Sequence, residues 1–369
     1  MENKPLLKNN KEKIRNPNID FIRIAGMFAI IVNHLLAHGR AYFIYTKYYQ
    51  IHLLLIALMW HVSSFGLISG MVGIRTPKFS NLFYLWTMTV FYSVIFYIKY
   101  NKQCNLKNYN KFITNIFPVI YKKYWYFTAY FGLYPFLPFV NAGISVLPRI
   151  VIKKIIYFII GIFIIWPANN KDVFYQNLGY NTFSLLISSI FGAYIGKYIF
   201  YQKKQIISKI IICTFCLVIF TTITLFTFAI NKNIFPQIPQ KIRLIFRTRI
   251  NSFSMYIQVF AFTIFVAQIK FNQIISKIIT FIGPLTFDVY LIHENPYIRD
   301  IYIKNYFNKY SINLKLSSVY FILFRKAFYI FNASIFIAYI RNIIFRIIYI
   351  RNISIKCEYL VTKIINYFI

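Results

Sequence analysis

The 369-residue chain is 59% hydrophobic and only 14% charged, yet carries a formal net charge of +34. So apolar a composition excludes an ordinary soluble domain. The positive charge does not argue for nucleic acid, because Lys and Arg occupy the short connections between apolar runs, where they anchor helix ends to lipid headgroups.

Apolar stretches long enough to span hydrocarbon recur along the whole length, which predicts an all-α, polytopic transmembrane helix bundle. A single domain accounts for residues 1–369, with no long Pro/Gly/Ser linker and no internal repeat. Residues 1–16 are a basic tail (Lys4, Lys8, Lys11, Lys13, Arg15). The apolar run behind the tail lacks a small-residue cleavage site and reads as a first membrane helix. About ten spans are predicted, near 20–38, 52–74, 82–99, 124–143, 150–167, 181–200, 207–230, 250–269, 276–293 and 317–345. The basic residues of the first tail favour a cytoplasmic N-terminus. An even number of spans returns the C-terminal tail, 346–369, to the same side of a bacterial cytoplasmic (inner) membrane.

The first span, IDFIRIAGMFAIIVNHLLAHG, holds Arg23 and His34 eleven residues apart. That is close to three whole helical turns, so the two side chains share a face with an axial offset of about 16 Å. Ionisable groups inside a bilayer need partners or a wet cavity, which makes this pair the sharpest functional signal in the chain. His34 suits acid–base work, and Arg23 suits an anionic ligand. Asp20 lies within i,i+3 reach of Arg23 and reads as a local ion pair. His38 follows His34 at the spacing of a helical metal pair, but no third ligand is evident and no metal is expected. His52 and His61, in or beside the second span, read as ordinary buried histidines. Cys213 and Cys216 form a C-x-x-C inside an apolar run with no strand before it and read as small helix residues.

Further along, Asp288, Glu294 and Asp300 place three of the eight acidic residues within thirteen positions of an apolar protein. His293 and Glu294 close the ninth span, Pro296 should stop its helix, and Arg299 follows. This is the second cluster of candidate site residues.

Together these segments resemble the membrane acyltransferase-3 family of bacterial O-acyltransferases. The first span is similar to the family's opening helix, with its basic residue, ten-residue gap and histidine falling on Arg23 and His34. FGLISGMVGIRTPKFSNLFYLW, WYFTAYFGLYPFLPFVN, GYNTFSLLISSIFGAYIGK and PLTFDVYLIHENPYIR match its later landmarks in order. The resemblance implies transfer of an acyl group, usually acetyl from acetyl-CoA, onto a carbohydrate hydroxyl. The basic cluster around the third helix is thinner here. Arg75 and Lys78 remain, but Asn81 and Leu82 stand where more positive charge is common. On this reading His34 is the base, Arg23, Arg75 and Lys78 hold the CoA phosphates, and His293, Glu294 and Arg299 line the opposite mouth, where Glu294 bonds sugar hydroxyls or orients a base, so that donor and acceptor meet at His34. The expected partners are an acyl-CoA donor, a carbohydrate acceptor and membrane lipids, with no nucleic acid. The competing class is a polysaccharide transporter or flippase, since intramembrane charge also marks transport paths.

Overall fold

The computed structural model describes residues 15–73, 77–100, 109–166, 174–200 and 209–368. The described residues form helices joined by turns and short loops, with no strand among them. Helix α1 (Pro17–Ala37) is followed by a short α2 (Ala41–Ile44) and by α3 (Tyr49–Leu58) and α4 (His61–Val72), two halves of one span interrupted at Met59–Trp60. Then come α5 (Phe79–Tyr100), α6 (Tyr109–Ile116), and α7 (Trp125–Leu133) with α8 (Leu137–Val146), which are joined by a tight turn carrying Pro135. Helix α9 (Arg149–Ile159) runs on as a π-helix to Ile165, and α10 (Thr182–Ile195) does so to Phe200. The remainder is α11 (Lys209–Asn231), α12 (Gln240–Ile245), α13 (Phe253–Ala267), α14 (Gln273–Ile282), α15 (Thr286–His293), α16 (Pro296–Tyr302), α17 (Leu316–Ile347) and α18 (Ile350–Phe368).

Eight helical stretches among the described residues are long and apolar enough to cross a membrane, against the ten spans expected. Each of the other two expected spans meets a shorter helix. Helix α9 carries Arg149, Lys153 and Lys154 in its first half, and α13 has fifteen residues. Most of the C-terminal tail is helical. It is α18, whose Glu358 carboxylate accepts from the Phe79 amide and whose Arg351 donates to Asn81 Oδ1.

Helix α1 is the axis of the bundle. Asn16 caps it by accepting from the Asn18 amide, Pro17 takes the first-turn position where no amide is needed, and Asp20 supplies the acid favoured there. At its far end the freed carbonyls of His38 and Gly39 accept from the amides of Asn305 and Phe307. Near its start Asp20, 1% exposed, packs where a Cβ on Gly283 would stand, at the break between α14 and α15. The largest apolar cluster gathers α1, α5, α15 and α17 around Ile31, Leu35, Tyr92, Val289 and Leu323.

Two further contacts set the frame. Helices α4 and α10 touch backbone to backbone: a Cβ on Gly70 would lie 1.8 Å from the Ser189 carbonyl, and one on Gly192 would lie 1.9 Å from that of Leu67. Small residues permit this approach in lipid, where apolar side chains gain little by meeting one another. Behind α15, Asp288 accepts two bonds from Arg341 of α17 at 2.8 and 2.6 Å, and a third from the Tyr92 hydroxyl at 2.8 Å. Arg341 also donates to the Tyr84 hydroxyl, so this buried pair ties α5, α15 and α17 together.

Removing one partner leaves the other charge buried and unpaired, which typically costs about 3–5 kcal/mol. Arg341→Met is therefore expected to lower the melting temperature in detergent sharply. The double variant Asp288→Leu/Arg341→Met is expected to recover most of that loss.

Candidate functional site

A cavity of about 480 Å³ lies between α1, the α3–α4 span, the start of α7 and the α15–α16 segment. On α1 its wall is Met27, Ile30, His34 and Ala37, residues three or four apart and hence one face of the helix. On α15 it is Thr286, Phe287 and Tyr290, continued by Glu294. Asp288 falls outside that stripe and points back to Arg341. Two acids close together in sequence thus serve different faces, one holding the bundle and one reaching the cavity.

His34 is 21% exposed, and its Nδ1 lies 3.1 Å from Glu294 Oε2. The other Glu294 oxygen accepts from Arg299 Nη1 at 2.9 Å. His293 is fully buried behind the cavity wall. Its Nδ1 lies 2.6 Å from the Val289 carbonyl, so Nδ1 carries the proton and Nε2 presents a lone pair without a protein partner. The His293 and His38 rings stand 5.3 and 5.1 Å from that of His34. Asn295 donates to the Tyr124 hydroxyl at 2.7 Å, and the Tyr126 amide to the Tyr290 hydroxyl at 3.2 Å, which seats the start of α7 against the end of α15. At the mouth Trp125 and Tyr180 meet edge-on at 4.7 Å. Burial first, and then the charge of Glu294, hold the Tyr180 phenol above its usual range.

Arg23 is not on the cavity wall. It pairs with Asp20, which also takes Arg15, and stands one turn below Met27. Tyr126, Tyr130 and Tyr134 follow one another down α7 with ring centroids 6.4 and 6.2 Å apart, starting at the cavity. At the far end of this column the Tyr134 hydroxyl bonds the backbone of Lys78 and the side chain of Asn81. Lys78 is exposed there. Arg75 lies outside the described residues.

The structure therefore gathers His34, His293, Glu294 and Arg299 in one place, sets Lys78 at the far end of a tyrosine column and leaves Arg23 on α1 one turn below the cavity. Sequence reasoning missed His61, Asn33, Trp125 and Tyr180 on the cavity wall. Only the aromatic richness of residues 124–126 hinted at any of these.

His34, His293 and Glu294 each offer one possible ligand atom, all within 4.8 Å of one another. Two imidazoles and a carboxylate make a known zinc donor set. Against it stands Arg299, which already supplies positive charge to Glu294 and would repel a cation beside it. Elemental analysis of the purified protein is expected to find zinc far below one equivalent per chain; a stoichiometric amount lost in His293→Ala would assign the trio to a metal.

His38 has a pKa held below its usual value, chiefly by burial. The unfolded chain then binds the extra proton first, so His38 costs stability as pH falls below about 6.5. His38→Gln is expected to show a shallower loss of melting temperature from pH 7 to pH 5 than the parent protein.

Residues 16–340 match the Acyl_transf_3 family, described as an acyltransferase domain. No curated protein and no solved structure matches the chain.

Proposed function

We propose, from the premise that the chain belongs to the Acyl_transf_3 acyltransferase family and is a multi-pass membrane acyltransferase, that it moves an acetyl group from acetyl-CoA to a hydroxyl of a carbohydrate, a surface polysaccharide or its lipid-linked precursor. The observation that carries this reading is the placement of His34. Its Nδ1 lies 3.1 Å from the Glu294 carboxylate, and the residue itself forms part of the wall of a cavity with aromatic sides.

The reaction needs the His34 tautomer with its proton on Nδ1, the nitrogen nearer Glu294, and a lone pair on Nε2 to accept a proton. The acceptor hydroxyl gives its proton to Nε2 while its oxygen attacks the thioester carbonyl. Collapse of the tetrahedral intermediate breaks the carbon–sulfur bond, and the departing CoA thiolate takes the proton back from the imidazolium. Glu294 stabilises the imidazolium in between, and Arg299 keeps Glu294 in place. His293 acts from behind the wall, filling the space against which His34 is packed.

The donor's phosphates belong at the Arg23 and Lys78 end, a setting that keeps them in water at the headgroup level while the thioester reaches inward along the tyrosine column. This assigns the donor to the cytoplasmic face of a bacterial inner membrane, with the N- and C-termini on that side, and the acceptor to the Trp125–Tyr180 mouth.

Release of free thiol from acetyl-CoA by purified protein supplied with acceptor measures the reaction. His34→Ala is expected to reduce it by about 10²–10⁴-fold, the range of a lost general base, and Glu294→Gln to reduce kcat with little change in either KM. Arg23→Ala and Lys78→Ala are expected to raise the KM for acetyl-CoA more than that for the acceptor. Wild-type rates in His34→Ala would overturn the assignment, and the reverse pattern of KM values would exchange the two ends.

A further inference from the structure

The reaction just described uses His34, Glu294 and Arg299, but a second polar group stands on the same cavity wall with nothing to do. Asn33 and His61 are 8% and 5% exposed, among Met27, Ile30, Leu55 and Phe65. Asn33 Nδ2 lies 2.8 Å from His61 Nε2 and 3.4 Å from the Met59 sulfur. Its amide nitrogen is thereby occupied, while among the described residues no donor reaches its Oδ1. In this arrangement His61 Nε2 accepts, so Nδ1 carries the proton, and Nδ1 is buried without a partner. A donor such as His61 Nδ1, buried without a partner in an apolar wall, is costly in lipid unless a ligand takes it, and Asn33 Oδ1 stands ready beside it as an acceptor.

Asn33 and His34 line the same cavity from successive positions of α1, so a ligand held by Asn33 lies in the space that the base also faces. We propose that Asn33 and His61 are the acceptor-orienting pair: they hydrogen-bond a second hydroxyl of the acceptor and so choose which hydroxyl meets His34. The acceptor class follows from the pairing. It is a polyol with at least two neighbouring hydroxyls, not a simple alcohol. The aromatic surfaces of Trp125, Tyr126 and Tyr180 across the cavity suit the apolar face of a pyranose ring. This inference rests on the acyltransferase reading and narrows it.

The test supplies purified protein with acetyl-CoA and either a panel of octyl glycosides (glucoside, galactoside, mannoside) or octanol, the single-hydroxyl probe. Wild-type protein is expected to acetylate at least one glycoside and to leave octanol untouched. Asn33→Leu and His61→Phe are expected to raise the KM for that glycoside by about tenfold or more, as loss of a buried hydrogen bond to substrate does. The KM for acetyl-CoA is expected to stay within about twofold. His61→Gln, which keeps a side-chain amide donor, is expected to recover part of the glycoside affinity, whereas a merely structural role for His61 would leave Gln and Phe alike. Unchanged glycoside KM values in both variants, or octanol acetylated as readily as the glycosides, would overturn the proposal. Thiol release by hydrolysis with no glycoside accepted would overturn it while leaving the acyltransferase reading intact; no thiol release under any condition would overturn both.

Discussion

The arrangement of the site depends on one constraint: helix α1 is laid along the segment 283–294, fastened to it at its start and to the chain just beyond α16 at its finish. At the start, Asp20 occupies the space that Gly283 leaves by having no side chain. At the finish, the carbonyls that end α1 are taken by amides of the loop just after α16. Between these points the helix advances about 1.5 Å per residue, so the register is set to within a fraction of a turn. His34 then has little choice but to meet Glu294. A bigger residue at 283 would lift the start of α1 and carry the imidazole away from its carboxylate.

The same economy governs the other charges. Asp20 is shared by Arg15 and Arg23, Asp288 by Arg341 and Tyr92, and Glu294 by Arg299 and His34. Asp288 and Glu294 differ in what surrounds them. Asp288 is sealed among α5, α15 and α17, where it can only hold, whereas Glu294 is on the wall of an open cavity, where it can take part in proton movement.

Much of this was legible beforehand because it depends on relations within a single helix. Hydropathy marked the spans, and the eleven-residue interval placed Arg23 and His34 on a common stripe of α1, where the structure keeps them. The i,i+3 pair of Asp20 with Arg23 forms as its spacing suggested, and with it Arg23 ends below the cavity rather than in it. The interval could not say which of the two roles open to Glu294 the fold favours; the packing sets its carboxylate beside His34, as orienting a base requires, with the His293 ring behind. His61 read as an ordinary buried histidine because its partner, Asn33, is 28 residues away and meets it only after α1 and α4 have packed. The spans expected near 150–167 and 250–269 exceeded the helices found because apolar runs continue past the points where the hydrogen-bonded ladder ends or changes pitch.

The contact of α4 with α10 has a bearing on how such a chain can drift over generations. Where two backbones already touch at Gly70 and Gly192, nearly every replacement is a collision, so that seam is closed to variation. Helix α11, by contrast, turns most of its surface outward, and there any greasy side chain of roughly suitable length serves as well as another. Two descendants of one ancestor would thus come to look unrelated along their lipid-facing helices while remaining nearly identical along a narrow inner seam.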